Sequence, residues 1–130
     1  DYRGAEDLDL WIRLAGRGRM AYCDSLLAIK EERPGSLGRQ SVTMARDTAR
    51  LYESLLAAGD IEDSSLRDHV HSFLHEQHAS LGWLHCQNRR YQLAAMSYRD
   101  ALRHRWKPRL QAALLLAKAR AVFFRDSELQ

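Results

Sequence analysis

The chain has 130 residues, 45% of them apolar and 28% charged, and carries a formal charge of +3. That length holds one small domain or parts of two, and the composition is ordinary for a soluble globular chain. So mild a positive charge, with no aromatic-plus-basic signature, no zinc-finger spacing, no signal peptide and no run of about 18 apolar residues, argues against nucleic acid as a partner and against a membrane span.

The first periodic stretch is Glu6-Asp7-Leu8-Asp9-Leu10-Trp11-Ile12-Arg13-Leu14. On a helix turning about 100° per residue, Leu8, Leu10, Trp11, Ile12, Leu14 and Ala15 form one broad apolar face. Asp9, Arg13 and Gly16 lie opposite, with Asp9 and Arg13 spaced for an i,i+4 pair. Glu6 borders that polar face, whereas Asp7 projects from the middle of the apolar side at the helix start. A carboxylate there either caps the helix or points into a cleft, and both readings stand.

Gly16 and Gly18 are stop signals, and Arg17 and Arg19 suit the negative helix end. Arg19 to Cys23 then reads as a short strand, Asp24-Ser25 as a turn, and Ser25 to Lys30 as an extended segment. Residues 31–41 form a loop, because Pro34-Gly35 and the small residues after it break any periodicity. Its neutral reading is a solvated, charged linker.

Taken in order, Glu6-Asp7-Leu8-Asp9-Leu10-Trp11, Arg13-Leu14, Gly18, Met20–Cys23, Leu26-Leu27 and Arg33-Pro34-Gly35-Ser36 resemble the acidic motif of family 2 glycosyltransferases with its helix, short strand, Leu pair and loop. The family departs from this chain at Lys30 and Glu31, where it commonly has Tyr-Arg, and at Gly38, where a second Ser is common. The resemblance implies that residues 1–40 are the C-terminal end of an α/β GT-A domain, one helix plus a short β or extended segment. It implies that Asp7 is the catalytic base, taking a proton from an acceptor hydroxyl as that oxygen attacks a nucleotide sugar with inversion. One ionised carboxylate within hydrogen-bond reach suffices for that step. Glu6 and Trp11 would shape the acceptor site, and Arg33 and Ser36 would meet the donor diphosphate, a task suited to a guanidinium. Mn²⁺ or Mg²⁺ would be held mainly by residues upstream. The chain begins without Met just before a motif that lies late in its domain, so a fragment, inactive by itself, is expected.

From Val42 the pattern turns helical. Residues 42–58 carry Leu51, Leu55 and Ala58 on one side, with Met44, Thr48 and Tyr52 nearby, and Gly59 ends the run. Asp63-Ser64-Ser65 is an N-cap cluster for a helix over 65–87, whose stripe is Leu66, Val70, Phe73, Leu74, Leu81 and Leu84. Further helices are expected over 91–103 and 108–124, the last with Pro108 in its first turn. Cys23 and Cys86 form no motif and read as free thiols of a reducing compartment, the alternative being a disulfide between the two.

Leu81-Gly82, followed by Tyr91, Ala94, Tyr98 and Ala101, gives a partial tetratricopeptide pattern of small and aromatic residues where paired helices pack closely. His78 stands at the expected Trp position, and Pro108 comes two residues late. The class expected is therefore mainly α: residues 41–130 form a tetratricopeptide-like helical hairpin bundle after the GT-A remnant. His71, His75, His78 and His85 share a narrow sector beside the apolar stripe. His71 and His75 at i,i+4, with His78 after them, are spaced as metal ligands. However, no Glu follows the first His as in His-Glu-x-x-His. The sector reads as a polar margin bordering solvent, and no residue is assigned to a metal. The helix over 108–124 has a wide apolar arc flanked by Lys107, Arg109, Lys118, Arg120 and Arg125. It reads as a bundle cap, the alternative being a helix lying on an anionic membrane.

Two function classes emerge. One is an inverting nucleotide-sugar glycosyltransferase of polysaccharide, lipid-linked glycan or protein glycosylation, cytoplasmic, with peripheral contact at the inner membrane face. The other is a non-catalytic helical module binding a protein partner or a second copy of itself.

Overall fold

The computed structural model describes residues 5–29, 41–59 and 61–124. Among them five helices occur in order: α1 (Glu6–Ala15), α2 (Ser41–Ala58), α3 (Ser64–Gln87), α4 (Tyr91–His104) and α5 (Pro108–Phe123). The fold is mainly helical, and no strand occurs among the described residues. The strand expected at Arg19–Cys23 is therefore absent. Residues 19–29 have no regular element and are solvent-exposed, with Tyr22 90% accessible. A strand's backbone groups need a neighbouring strand, and the described residues supply none.

Local chemistry sets the helix ends. Gly59 closes α2 at φ 75°, in the left-handed region that a glycine enters without steric cost. The Asp63 carboxylate caps α3 by accepting from the N–H groups of Ser65 (2.7 Å) and Leu66 (3.2 Å). At the other end of α3 the Arg90 N–H donates to the His85 carbonyl (2.8 Å) and the Arg89 N–H to that of Cys86 (3.0 Å). This is a Schellman closure, and it holds Arg89 at φ 59°, where glycine is usual. Pro108 opens α5, where a missing N–H costs nothing.

The helices from α2 to α5 pack in succession, α2 on α3, α3 on α4 and α4 on α5. Pairs such as His71–His104, His75–Ala101 and Gly82–Tyr98 run in opposite directions along the chain, so α3 and α4 are antiparallel. At the base of this pair Gly82 is buried against the Tyr98 ring; a Cβ on Gly82 would lie within 3.0 Å of three ring atoms. Two apolar clusters result. Ala49, Val70 and Leu74 join α2 to α3, with Tyr52, Leu56 and Ile61 around them. Ala94, Tyr98, Leu114 and Ala117 join α4 to α5, with Cys86 of α3 against them. Tyr91 lies against Phe124 (centroids 6.1 Å apart) and under the Arg120 guanidinium (5.7 Å), which ties the end of α5 to the start of α4.

The expected apolar stripe of α3 is buried at Val70, Leu74 and Leu81 and half-buried at Phe73 and Leu84, but Leu66 in its first turn is exposed. On α5 only Leu114 and Ala117 are buried; Leu115, Leu116, Val122 and Phe123 face outward, so the helix covers α4 with one side of a wide apolar arc. Among the described residues α1 packs extensively on no other helix, and Leu10, Trp11 and Leu14 stay about half accessible.

Candidate functional site

Two regions bring chemically active side chains together. The first is the start of α1. Asp9 and Arg13 form the expected i,i+4 ion pair, with the Arg13 Nε–H donating to Asp9 Oδ1 at 3.1 Å. Glu6 and Asp7 are exposed in the first turn. The N-cap is Ala5, so Asp7 is not the side-chain cap; its Oδ1 instead accepts from the adjacent Leu8 N–H at 2.8 Å. That bond satisfies one of the open N–H groups of the helix start, while the carboxylate stays in solvent. Trp11, one turn after Asp7 on α1, lines a groove that Asp7 does not line. That groove is open, lies at the other end of α1 and is shared with Leu14, Arg17, Arg19 and Met20. Arg33 and Ser36 lie outside the described residues.

The second region is the polar seam between α2, α3 and α4. The histidine sector of α3, expected to border solvent, does not do so throughout, because His75 and His78 are buried. The reason is packing: α2 and α4 flank α3 and cover that sector from both sides. Each buried ring has a polar partner, as burial demands. The His75 Nδ1–H donates to the Ala101 carbonyl of α4 at 3.0 Å; a carbonyl only accepts, which fixes the tautomer. His78 Nε2 lies 2.9 Å from Glu53 Oε1 of α2. Nδ1 of His71 lies 3.1 Å from Nδ1 of His104 of α4, and one of the two carries the shared hydrogen. The His78 and His104 rings stack nearly parallel, 4° apart in plane with centroids at 5.6 Å. Ligating atoms of Glu53, His78 and His104 all lie within 4.8 Å of one another.

The electrostatics are set by that crowding. Burial lowers the pKa of His104 below the usual imidazole value, and the neighbouring His78 and His71 push the same way, against a weaker upward pull from Glu53 and Asp100. His104 is thus biased toward its neutral form. Further along the same α3–α4 interface, burial pushes the Tyr98 phenol up to about 12, aided by its contact with the Cys86 thiol.

Sequence reasoning named His71, His75 and His78 but not Glu53 or His104. Each of these two is the single cluster member on its own helix, so no spacing within one helix reveals it. Conversely, the α1 residues named from sequence do not meet the histidines. No hard, all-oxygen donor set of the sort Mg²⁺ or Mn²⁺ takes at a diphosphate is found among the described residues; the only grouped ligands among them are this carboxylate and two imidazoles. No protein-family model, curated protein or solved structure matches this chain.

Proposed function

We propose that residues 1–40 are the C-terminal end of a GT-A glycosyltransferase domain and that residues 41–130 are its helical tail. The whole enzyme moves a sugar from a nucleotide donor to a glycan, lipid-linked or protein hydroxyl, with inversion. The observation that carries this reading is the exposed Asp7 carboxylate in the first turn of α1, free of the N-cap position, at the head of the ordered motif series. A general base must reach an incoming hydroxyl, and an exposed carboxylate can. The uncovered Leu10, Trp11 and Leu14, followed by exposed Met20, Tyr22, Leu26, Leu27 and Ile29, fit a segment that packs onto the rest of a catalytic domain. Arg33 and Ser36 are assigned to the donor diphosphate, and Glu6 and Trp11 to the acceptor. Mn²⁺ or Mg²⁺, held mainly by residues upstream, would neutralise the diphosphate.

The test uses the complete gene product with UDP-, GDP- and TDP-sugars and Mn²⁺ or Mg²⁺, comparing wild type with Asp7→Asn. Loss of a general base lowers turnover by about 10²–10⁴-fold, with nucleotide binding retained. Equal turnover in the two proteins would reduce Asp7 to a helix-terminus residue.

A second reading, a tetratricopeptide-like interaction module, is favoured by the close approach of Gly82 and Tyr98 and by the self-contained core of α2 to α5. The outward Leu115, Leu116, Val122 and Phe123, beside Lys118 and Arg120, would take a protein partner, a second copy or an anionic membrane surface. Among the described residues no helix is long and apolar enough to cross a membrane. A cytoplasmic location with peripheral contact at the inner membrane face is assigned under either reading. Sedimentation of the chain across a concentration series, with and without anionic vesicles, separates self-association from membrane binding.

A further inference from the structure

We propose that Glu53, His78 and His104 form a binding site for one divalent transition-metal ion of the zinc class, which cross-links α2, α3 and α4. The inference stands apart from the glycosyltransferase reading, since it uses no residue of α1 and no sugar chemistry.

Three observations carry it. First, the donors come from three different helices and converge: Glu53 Oε1 and His78 Nε2 are 2.9 Å apart, and all three ligating atoms lie within 4.8 Å of one another. Ligands bound at about 2.0–2.2 Å to one ion lie no more than about 4.4 Å apart, so the group closes on an ion with a small side-chain adjustment. Second, the donor set is one carboxylate and two imidazoles, which suits zinc, cobalt or nickel rather than magnesium or calcium. Third, the group has built support. His78 is 9% exposed, so its ring is held by packing. The His104 ring is stacked on that of His78 and is contacted by His71 Nδ1 at 3.1 Å. His71 is a positioning residue: it orients His104, as outer partners orient ligating histidines. Three donors leave a coordination position for water on the Glu53 side, where that residue is exposed.

The proton balance is simple. In the metal-free chain a hydrogen bridges His78 Nε2 and Glu53 Oε1. The ion displaces it: a neutral His78 moves its one hydrogen from Nε2 to Nδ1 by exchange with solvent, and an imidazolium keeps Nδ1–H and releases its Nε2 proton to solvent.

The experiment titrates Zn²⁺ into the 130-residue chain under reducing conditions by calorimetry, and repeats it with Co²⁺ while following visible absorption. One equivalent binds, Co²⁺ absorbs as a four- or five-coordinate nitrogen–oxygen complex without a thiolate charge-transfer band, and Zn²⁺ raises the Tm. Glu53→Gln keeps the size and hydrogen bonding of an exposed side chain, yet weakens Zn²⁺ binding at least about tenfold. His104→Ala does the same, with helical circular dichroism checked in parallel. The exposed His69, bonded only within its own helix to the Ser65 carbonyl, serves as control, and His69→Ala leaves the affinity unchanged. Absence of saturable binding would overturn the proposal. So would equal affinity in Glu53→Gln, a variant whose folding is not in question, or a cobalt spectrum dominated by thiolate.

Discussion

Replacing Gly82 with alanine probes the closest approach between α3 and α4. In an open helix that change stabilises by about 1 kcal/mol, because alanine loses less backbone freedom. Here the new Cβ would fall within 3.0 Å of three atoms of the Tyr98 ring. Tyr98 is 6% exposed and wedged among Ala94, Leu114 and Ala117, so its ring cannot turn away without parting α4 from α5. Overpacking of this kind costs about 1–3 kcal/mol, and contact with three ring atoms places it at the upper end. After the helical gain is subtracted, a net loss of about 2 kcal/mol remains. For a helical unit of this size that is a Tm lower by about 8–16 °C, read by circular dichroism during heating. The cost shrinks when Tyr98 is also replaced by leucine, the sign of a coupling between neighbours. An unchanged or raised Tm for Gly82→Ala alone would refute the close packing of α3 on α4 and, with it, the tetratricopeptide-like reading.

Leu74 is fully buried between α2 and α3, so Leu74→Ala costs about 2–5 kcal/mol in urea unfolding, while Leu66→Ala on the exposed first turn stays within about 0.5 kcal/mol; similar losses for both would contradict the assigned face of α3. Arg89→Gly relieves a left-handed backbone at φ 59° and stabilises by up to about 1 kcal/mol, measured as a shift of the urea midpoint. The phenol of Tyr98, pushed up to about 12 from an unfolded value near 10, binds its proton more tightly in the fold. Its contribution is therefore whole below about pH 10 and is lost as the pH rises through about 12. The stability of wild type minus that of Tyr98→Phe, followed by unfolding at increasing alkaline pH, should decline over that window; parallel curves would show that the phenol is not buried as described.

Helix boundaries from α2 onward were legible in the sequence, because they depend on neighbours within a turn or two. Gly59 stops α2, Asp63 accepts the first amides of α3, and Pro108 opens α5, each through chemistry local to the chain. Small and aromatic residues at fixed offsets led to the expectation that α3 and α4 pack closely, but that Gly82 is the residue that meets the Tyr98 ring was decided by the packing itself. Other features depended on packing between segments distant in sequence. Whether Arg19–Cys23 pairs as a strand depends on a partner strand, not on its own residues, and none stands beside it among the described residues. Whether the histidine sector of α3 meets water or other side chains depends on what α2 and α4 lay against it. Spacing within α3 placed His71, His75 and His78 on one face, but only tertiary packing sent His75 to a carbonyl and brought Glu53 and His104 to His78. A ligand set drawn singly from three helices leaves no period in any one of them, so the sequence alone does not reveal it.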